Sequence, residues 1–159
     1  MQDDAHVRSE IERYIDDGWL EAVLYEVKSG KEATVWCCRG GSRSPYPLVA
    51  AKIHRDVSQR SFKNDAVYHD GWMPRDSRFR RAFRKKSAFG HVVQQASWLM
   101  YEWETLRLLH DAGLPVPEPI ALGESSLLQE FIGDGETPAP QLVALRPTPE
   151  EATRIGETL

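Results

Sequence analysis

One long helix set among short strands sharply limits the folds open to this chain. Residues 91–112 carry apolar side chains at helical spacing. Gly113 closes the run, and Pro115, Pro117 and Pro119 bar its continuation. The flanking segments read as strands. β-branched and aromatic residues gather from Trp19 to Ile53, with turn signals at Lys28–Glu32 and Gly40–Pro45. This predicts strands over 20–27, 33–39 and 47–54. The apolar runs Ile120–Leu122 and Ser126–Ile132, parted by Gly-Glu-Ser, predict one more hairpin. An α+β fold follows, in which residues 20–54 and 120–132 form a five-stranded antiparallel sheet with helix 91–112 packed on one face.

Shorter signals fill in the ends. Val7, Ile11, Tyr14 and Ile15 recur at helical spacing, so 5–16 is expected to be an amphipathic helix, stopped by Asp16-Asp17-Gly18. Gly133–Pro147 is rich in turn residues. Thr148-Pro149-Glu150-Glu151 then opens a helix with an N-cap Thr, Pro at the first position and Glu three residues after the cap. Ala152, Ile155 and Leu159 are its expected buried face. With no stop signal in that helix, the polypeptide is expected to be cut short there.

Charge and composition narrow the function classes. The 159 residues carry a formal net charge of -4, which excludes a uniformly basic nucleic-acid binder. No apolar run approaches the roughly 20 residues of a membrane span, and the acidic start Met1-Gln2-Asp3-Asp4 is unlike a signal peptide, so a cytoplasmic protein is expected. Cys37 and Cys38 are strand neighbours on opposite faces, which disfavours a disulfide between them. Charge is unevenly spread: seven Lys/Arg lie between Arg75 and Lys86 against the single acid Asp76. This basic segment falls within 57–90, where periodicity is weak. It is expected to be flexible and to meet an anionic partner, although a solvated loop has the same composition.

Two residues break the pattern of their elements. Glu102 lies within about 60° of Trp98, Leu99, Leu106 and Leu109 around the helix axis, a carboxylate inside an apolar stripe. Strict alternation in Leu48-Val49-Ala50-Ala51-Lys52-Ile53 puts Lys52 on the face of Leu48 and Ala50. Taken singly, a stripe-edge glutamate can bend to solvent, and a strand lysine can guard a sheet edge. Together each explains the other, because a strand lysine that binds phosphate oxygens and is held by a helix glutamate is the protein-kinase arrangement. Between the first two strands, Gly30 permits a tight turn, and Ser29 with exposed amides could hold phosphate oxygens. The turn is not a P-loop, since Glu32 follows Lys31 where Ser or Thr would be required.

These motifs, in order from about residue 20 to 142, resemble the RIO family of atypical protein kinases. Lys28-Ser29-Gly30-Lys31-Glu32-Ala33-Thr34-Val35 is similar to its nucleotide loop S-x-G-K-E-A-x-V, with Lys28 in place of the first Ser. Ala50-Ala51-Lys52-Ile53 resembles its third-strand A-x-K-[IV], and Glu102-Trp103-Glu104-Thr105-Leu106 its helix motif E-[FWY]-x-x-L. Arg78-Phe79-Arg80-Arg81 resembles the insertion ahead of that helix. Pro115–Pro119 and Leu128–Gly133 resemble the approach to the fourth strand and the hinge, and Pro138-Ala139-Pro140 the segment after it.

The resemblance implies an N-terminal helix over 1–18, a kinase-like N-lobe over 19–132 with the insertion at about 57–90, and the start of a C-lobe over 133–159. It implies ATP as ligand. Lys52 and Glu102 would be the catalytic pair, and Ser29, Gly30, Lys31 and Glu32 would cover the triphosphate. Val35 and Ala50 would touch the adenine plane, while the Glu130 carbonyl and Ile132 N–H would bond its edge. Gln129, a polar residue, stands where the back of the pocket is gated. It further implies an unknown protein substrate and a ribosome or RNA contact through 75–86. No residue is assigned to metal, because the family's catalytic loop and Mg²⁺-binding Asp are expected beyond Leu159. The chain alone is therefore expected to be inactive. Two alternatives stand beside this: a stand-alone nucleotide-binding or regulatory module, and a small-molecule phosphotransferase of kinase-like fold.

Overall fold

The computed structural model describes residues 2–55 and 88–158. Helix α1 (Gln2–Asp16) leads into strands β1 (Leu20–Ser29), β2 (Ala33–Gly40) and β3 (Leu48–His54). After helix α2 (Ala88–Asp111) come β4 (Pro119–Leu122) and β5 (Ser126–Glu130). A small hairpin, β6 (Gly133–Asp134) and β7 (Thr137–Pro138), a short 3-10 turn and helix α3 (Pro149–Thr158) complete the order. The five main strands form one antiparallel sheet in the order β1-β2-β3-β5-β4, as the alternation patterns predict.

Register sorts the side chains between two layers. Val35 stands opposite Lys52, Cys37 opposite Ala50, Ala50 opposite Gln129, and Lys52 opposite Leu127. Directly opposed residues share a face, so Val35, Cys37, Ala50, Lys52, Leu127 and Gln129 line one side of the sheet. α2 covers that side through Glu102, which meets Lys52. The other side carries Cys38, Val49, Ala51 and Leu128, which close into a core with Tyr14, Leu20 and Ala121. Both cysteines are fully buried and free. Burial pushes the Cys38 thiol up to about 12 and raises Cys37 as well, so neither is a ready thiolate.

α1 docks on that second face partly through polar groups. Glu10, only 3% exposed, receives the Ser126 hydroxyl and the Ser125 N–H, the latter at 3.4 Å. The Tyr14 hydroxyl donates to the Ser126 carbonyl at 3.2 Å, and burial raises its pKa to about 12. A Cβ on Gly123 would come within 2.7 Å of both the Glu10 carboxylate and the Tyr14 hydroxyl, so the β4–β5 turn needs glycine there. Ile15, expected on the buried face, is 40% exposed instead. The docking stripe runs through Glu10 and Tyr14, one helical turn apart.

Several boundaries differ from the sequence expectation. α2 starts at Ala88, so residues 88–90 are its first turn and not part of the insertion. Gly90 weakens a helix by about 1 kcal/mol without stopping it. The rest of the insertion, including the basic segment 75–86, lies outside the described residues. At the other end of α2, Gly113 adopts a positive φ of 77°, the left-handed cap expected of it. β5 stops at Glu130 rather than at 132, because Glu130 already faces Val49 at the start of β3 and the next residue has little strand left to pair with. α3 forms where expected and its capping box closes, with the Thr148 N–H on Glu151 Oε2 at 2.8 Å and the Glu151 N–H on Thr148 Oγ1 at 3.3 Å. Its expected apolar face is not buried: Ala152 is exposed and Ile155 half-buried, so the local cap rather than packing defines it. Leu159 lies outside the described residues. Among those described, no helix is long and apolar enough to cross a membrane.

Candidate nucleotide site

Lys52 and Glu102 meet. The lysine ammonium donates to Glu102 Oε1, and each side chain is 28% exposed, inside the fold yet reachable by water. The strand places the ammonium and the helix places the carboxylate. Leu99, nearly fully buried, fixes the helix face on which Glu102 projects, while Glu104 stays exposed on the far side. Such a pair fixes the ammonium at one point on the sheet face, where its remaining N–H donors can meet an anionic ligand.

His54 is a third member that the sequence did not announce. It lies two residues after Lys52, hence on the same face, and its Nε2 sits 3.3 Å from the second oxygen of Glu102, with the ring 11% exposed. Each carboxylate oxygen therefore has its own partner. Burial works against the charged form of Glu102, but the facing His54 ring and the hydrogen-bonded Lys52 ammonium outweigh it and lower the carboxyl from 4.5 to about 2. A depressed folded-state pKa contributes stability that is present above about 4.5 and is lost as pH falls towards about 2. In His54→Ala the Glu102 carboxyl, followed by ¹³C NMR, should titrate at higher pH than in the wild type, with Lys52 keeping it below its ordinary value. An unchanged Glu102 titration would mean that His54 does not hold the carboxylate.

The remaining predicted residues fall into two groups. Half-buried Val35 and buried Ala50 share the sheet face of Lys52, and Gln129 stands next to Ala50 on β5. Glu130 ends β5, its N–H bonded to the Glu118 carbonyl at 2.8 Å, and Ile132 lies just outside the sheet, 49% exposed. The Ile132 carbonyl accepts the Ala139 N–H at 2.9 Å, which folds β6–β7 back as a hairpin. Ser29, Gly30, Lys31 and Glu32 form the exposed β1–β2 turn, closed by the Gly30 N–H on the Ala33 carbonyl at 2.9 Å. Two ties join β1 to residues 136–141. The Tyr25 hydroxyl donates to the Glu136 carbonyl, and Lys28 Nζ donates to Gln141 Oε1 at 3.0 Å. Lys28 thus reaches across to Gln141 instead of into the turn. Neither tie has a periodic signature, so alternation and turn chemistry could not have found them.

The family model of the RIO domain matches residues 24–159. The human serine/threonine-protein kinase RIO3 is 27% identical over 142 residues, which cover 87% of this chain and 27% of that protein. The RIO-type serine/threonine-protein kinase Rio1 of Haloferax volcanii is 31% identical over 136 residues, covering 86% of this chain and 42% of the relative. The crystal structure of the Rio2 kinase-ADP/Mg²⁺-phosphoaspartate complex from Chaetomium thermophilum superposes with a TM-score of 0.64 at 18% identity, over 96% of this chain and 39% of that one. The chain thus spans less than half the length of each of these proteins.

Proposed function

Because this chain belongs to the RIO domain family, we propose that it forms the ATP-binding part of a serine/threonine protein kinase or ATPase. Lys52 binds phosphate oxygens and Glu102 holds its ammonium in place. The turn Ser29–Glu32 covers the triphosphate. Val35 and Ala50 lie against the adenine plane, while the Glu130 carbonyl and Ile132 N–H take its edge. On this reading residues 19–132 are the nucleotide lobe and 133–159 lead from the hinge towards a second lobe. The segment 75–86 offers positive charge to a ribosomal or RNA partner, and the protein works in the cytoplasm on a protein hydroxyl.

The observation that carries this reading is the Lys52–Glu102 ion pair on the sheet face that also bears Val35 and Ala50. Phosphoryl transfer asks for positioning and charge stabilisation more than for covalent chemistry, and a lysine oriented by a carboxylate supplies both. Magnesium bound with ATP would neutralise phosphate charge. Among the described residues no group of three or more His, Cys, Asp or Glu could hold a metal.

An ATP titration followed by backbone amide NMR checks the assignment. Shifts should concentrate at residues 29–35, 50–52 and 130–132, and adenosine should move Val35, Ala50 and residues 130–132 but not residues 29–32. Perturbation elsewhere, or none at saturating ATP, would overturn the site.

A further inference from the structure

Arg55, the residue after β3, reaches back to the nucleotide turn at three points. Its N–H donates to the Glu32 carbonyl at 2.9 Å, its Nε to the Gly30 carbonyl at 3.0 Å, and its Nη2 to Ser29 Oγ at 2.7 Å. Ser29 Oγ also lies 3.0 Å from Thr34 Oγ1, so the bond from Arg55 continues into the start of β2. None of the roles assigned above uses this arginine.

A short turn at the rim of a sheet, with exposed residues and one glycine, frays readily when only its own backbone bonds close it. A guanidinium suits such a turn, because its planar fork presents several N–H donors in fixed directions and loses little freedom on binding two oxygens. Hydrogen bonds from a charged donor are also stronger than neutral ones. The bonded oxygens are a carbonyl and a hydroxyl on the near side of the turn. Arg55 is three residues from Lys52 on the same run of chain, so one continuous piece of backbone carries both the phosphate-binding ammonium and the fork that grips the turn.

We propose that Arg55 is a positioning residue that clasps the turn Ser29–Glu32 to the end of β3 and so sets affinity for the triphosphate of the nucleotide. This deepens the ATP-site reading and rests on it for its nucleotide half. The clasp keeps the turn at a constant distance from Lys52, so phosphates meet both together. A ligand without phosphates gains nothing from it.

The test uses the full chain as wild type, Arg55→Ala and Arg55→Lys, with two readouts. Without nucleotide, amide hydrogen exchange at residues 29–34 should quicken about tenfold in Arg55→Ala, as expected when charge-assisted bonds are lost. With ligand, the Kd for ATP should rise about tenfold while that for adenosine stays within about twofold. Arg55→Lys should fall between, because an ammonium can reach one of the two side-chain-bound oxygens but not both in the fork geometry. Unchanged exchange at 29–34 in Arg55→Ala overturns the clasp, whatever ATP does. Equal weakening of ATP and adenosine overturns the triphosphate role and makes Arg55 a support of the lobe in general. A wild type that binds no ATP defeats the ATP-site reading and with it the nucleotide half of this proposal. That failure is distinguishable, because the exchange arm still decides whether the clasp exists.

Discussion

Lys52→Met should weaken ATP binding by roughly tenfold to a hundredfold, the range set by losing a charged hydrogen-bond donor worth about 1.5–3 kcal/mol. The loss should fall on ATP and leave adenosine nearly untouched, since the ammonium serves phosphates. Glu102→Gln should weaken ATP in the same direction but less, because an amide oxygen can still accept from Lys52 and orient it. Stability should respond differently. Breaking a fully enclosed ion pair costs about 3–5 kcal/mol, but water reaches this one, and His54 still faces Glu102 when the lysine is gone. The unfolding free energy should therefore drop by only about 1 kcal/mol. Isothermal titration and urea unfolding on the same preparations measure both quantities.

Leu128→Ala should do the reverse. Leu128 is fully buried on β5 and joins Val49, Ala51 and Cys38 to Tyr14 of α1. Truncating it removes the transfer free energy of the lost carbons and leaves a cavity between two layers that the α1 hydrogen bonds hold apart. The expected cost is about 2–5 kcal/mol. It should appear as a lower urea midpoint at unchanged slope. Leu128 faces away from Lys52, so folded Leu128→Ala protein should bind ATP nearly as the wild type does. A loss under about 1 kcal/mol would mean that the α1 face is not the packed core described here.

The sheet was legible because its cues are periodic. Alternation in Leu48–Ile53 and the turn residues at Lys28–Glu32 place β1–β3 to within two residues, and they also put Lys52 on the right face. Lys52 and Glu102 were legible for the opposite reason: each is a charge where its element calls for an apolar side chain. His54, Arg55 and Glu10 break no such pattern. A histidine and an arginine at a strand end, or a glutamate on a short amphipathic helix, look like solvated polar residues. Their partners lie far off along the chain, Ser126 for Glu10 and Ser29 for Arg55. The apolar stripe expected on α3 failed because a capping box starts a helix whether or not anything packs on it. Gly90 misled in the other direction, read as loop where the helix runs through it.

The central claim is that Lys52 and Glu102 act as one phosphate-binding unit, and a double-mutant cycle on ATP affinity tests it most directly. Wild type, Lys52→Met, Glu102→Gln and the double variant are compared by their Kd for ATP and by their unfolding free energies. If Glu102 works through Lys52, removing it after the lysine is gone should change little. The coupling in binding should then approach the whole effect of Glu102→Gln and exceed the coupling in stability. Two substitutions whose effects simply add in both measurements would contradict the account, leaving Lys52 and Glu102 as neighbours rather than partners.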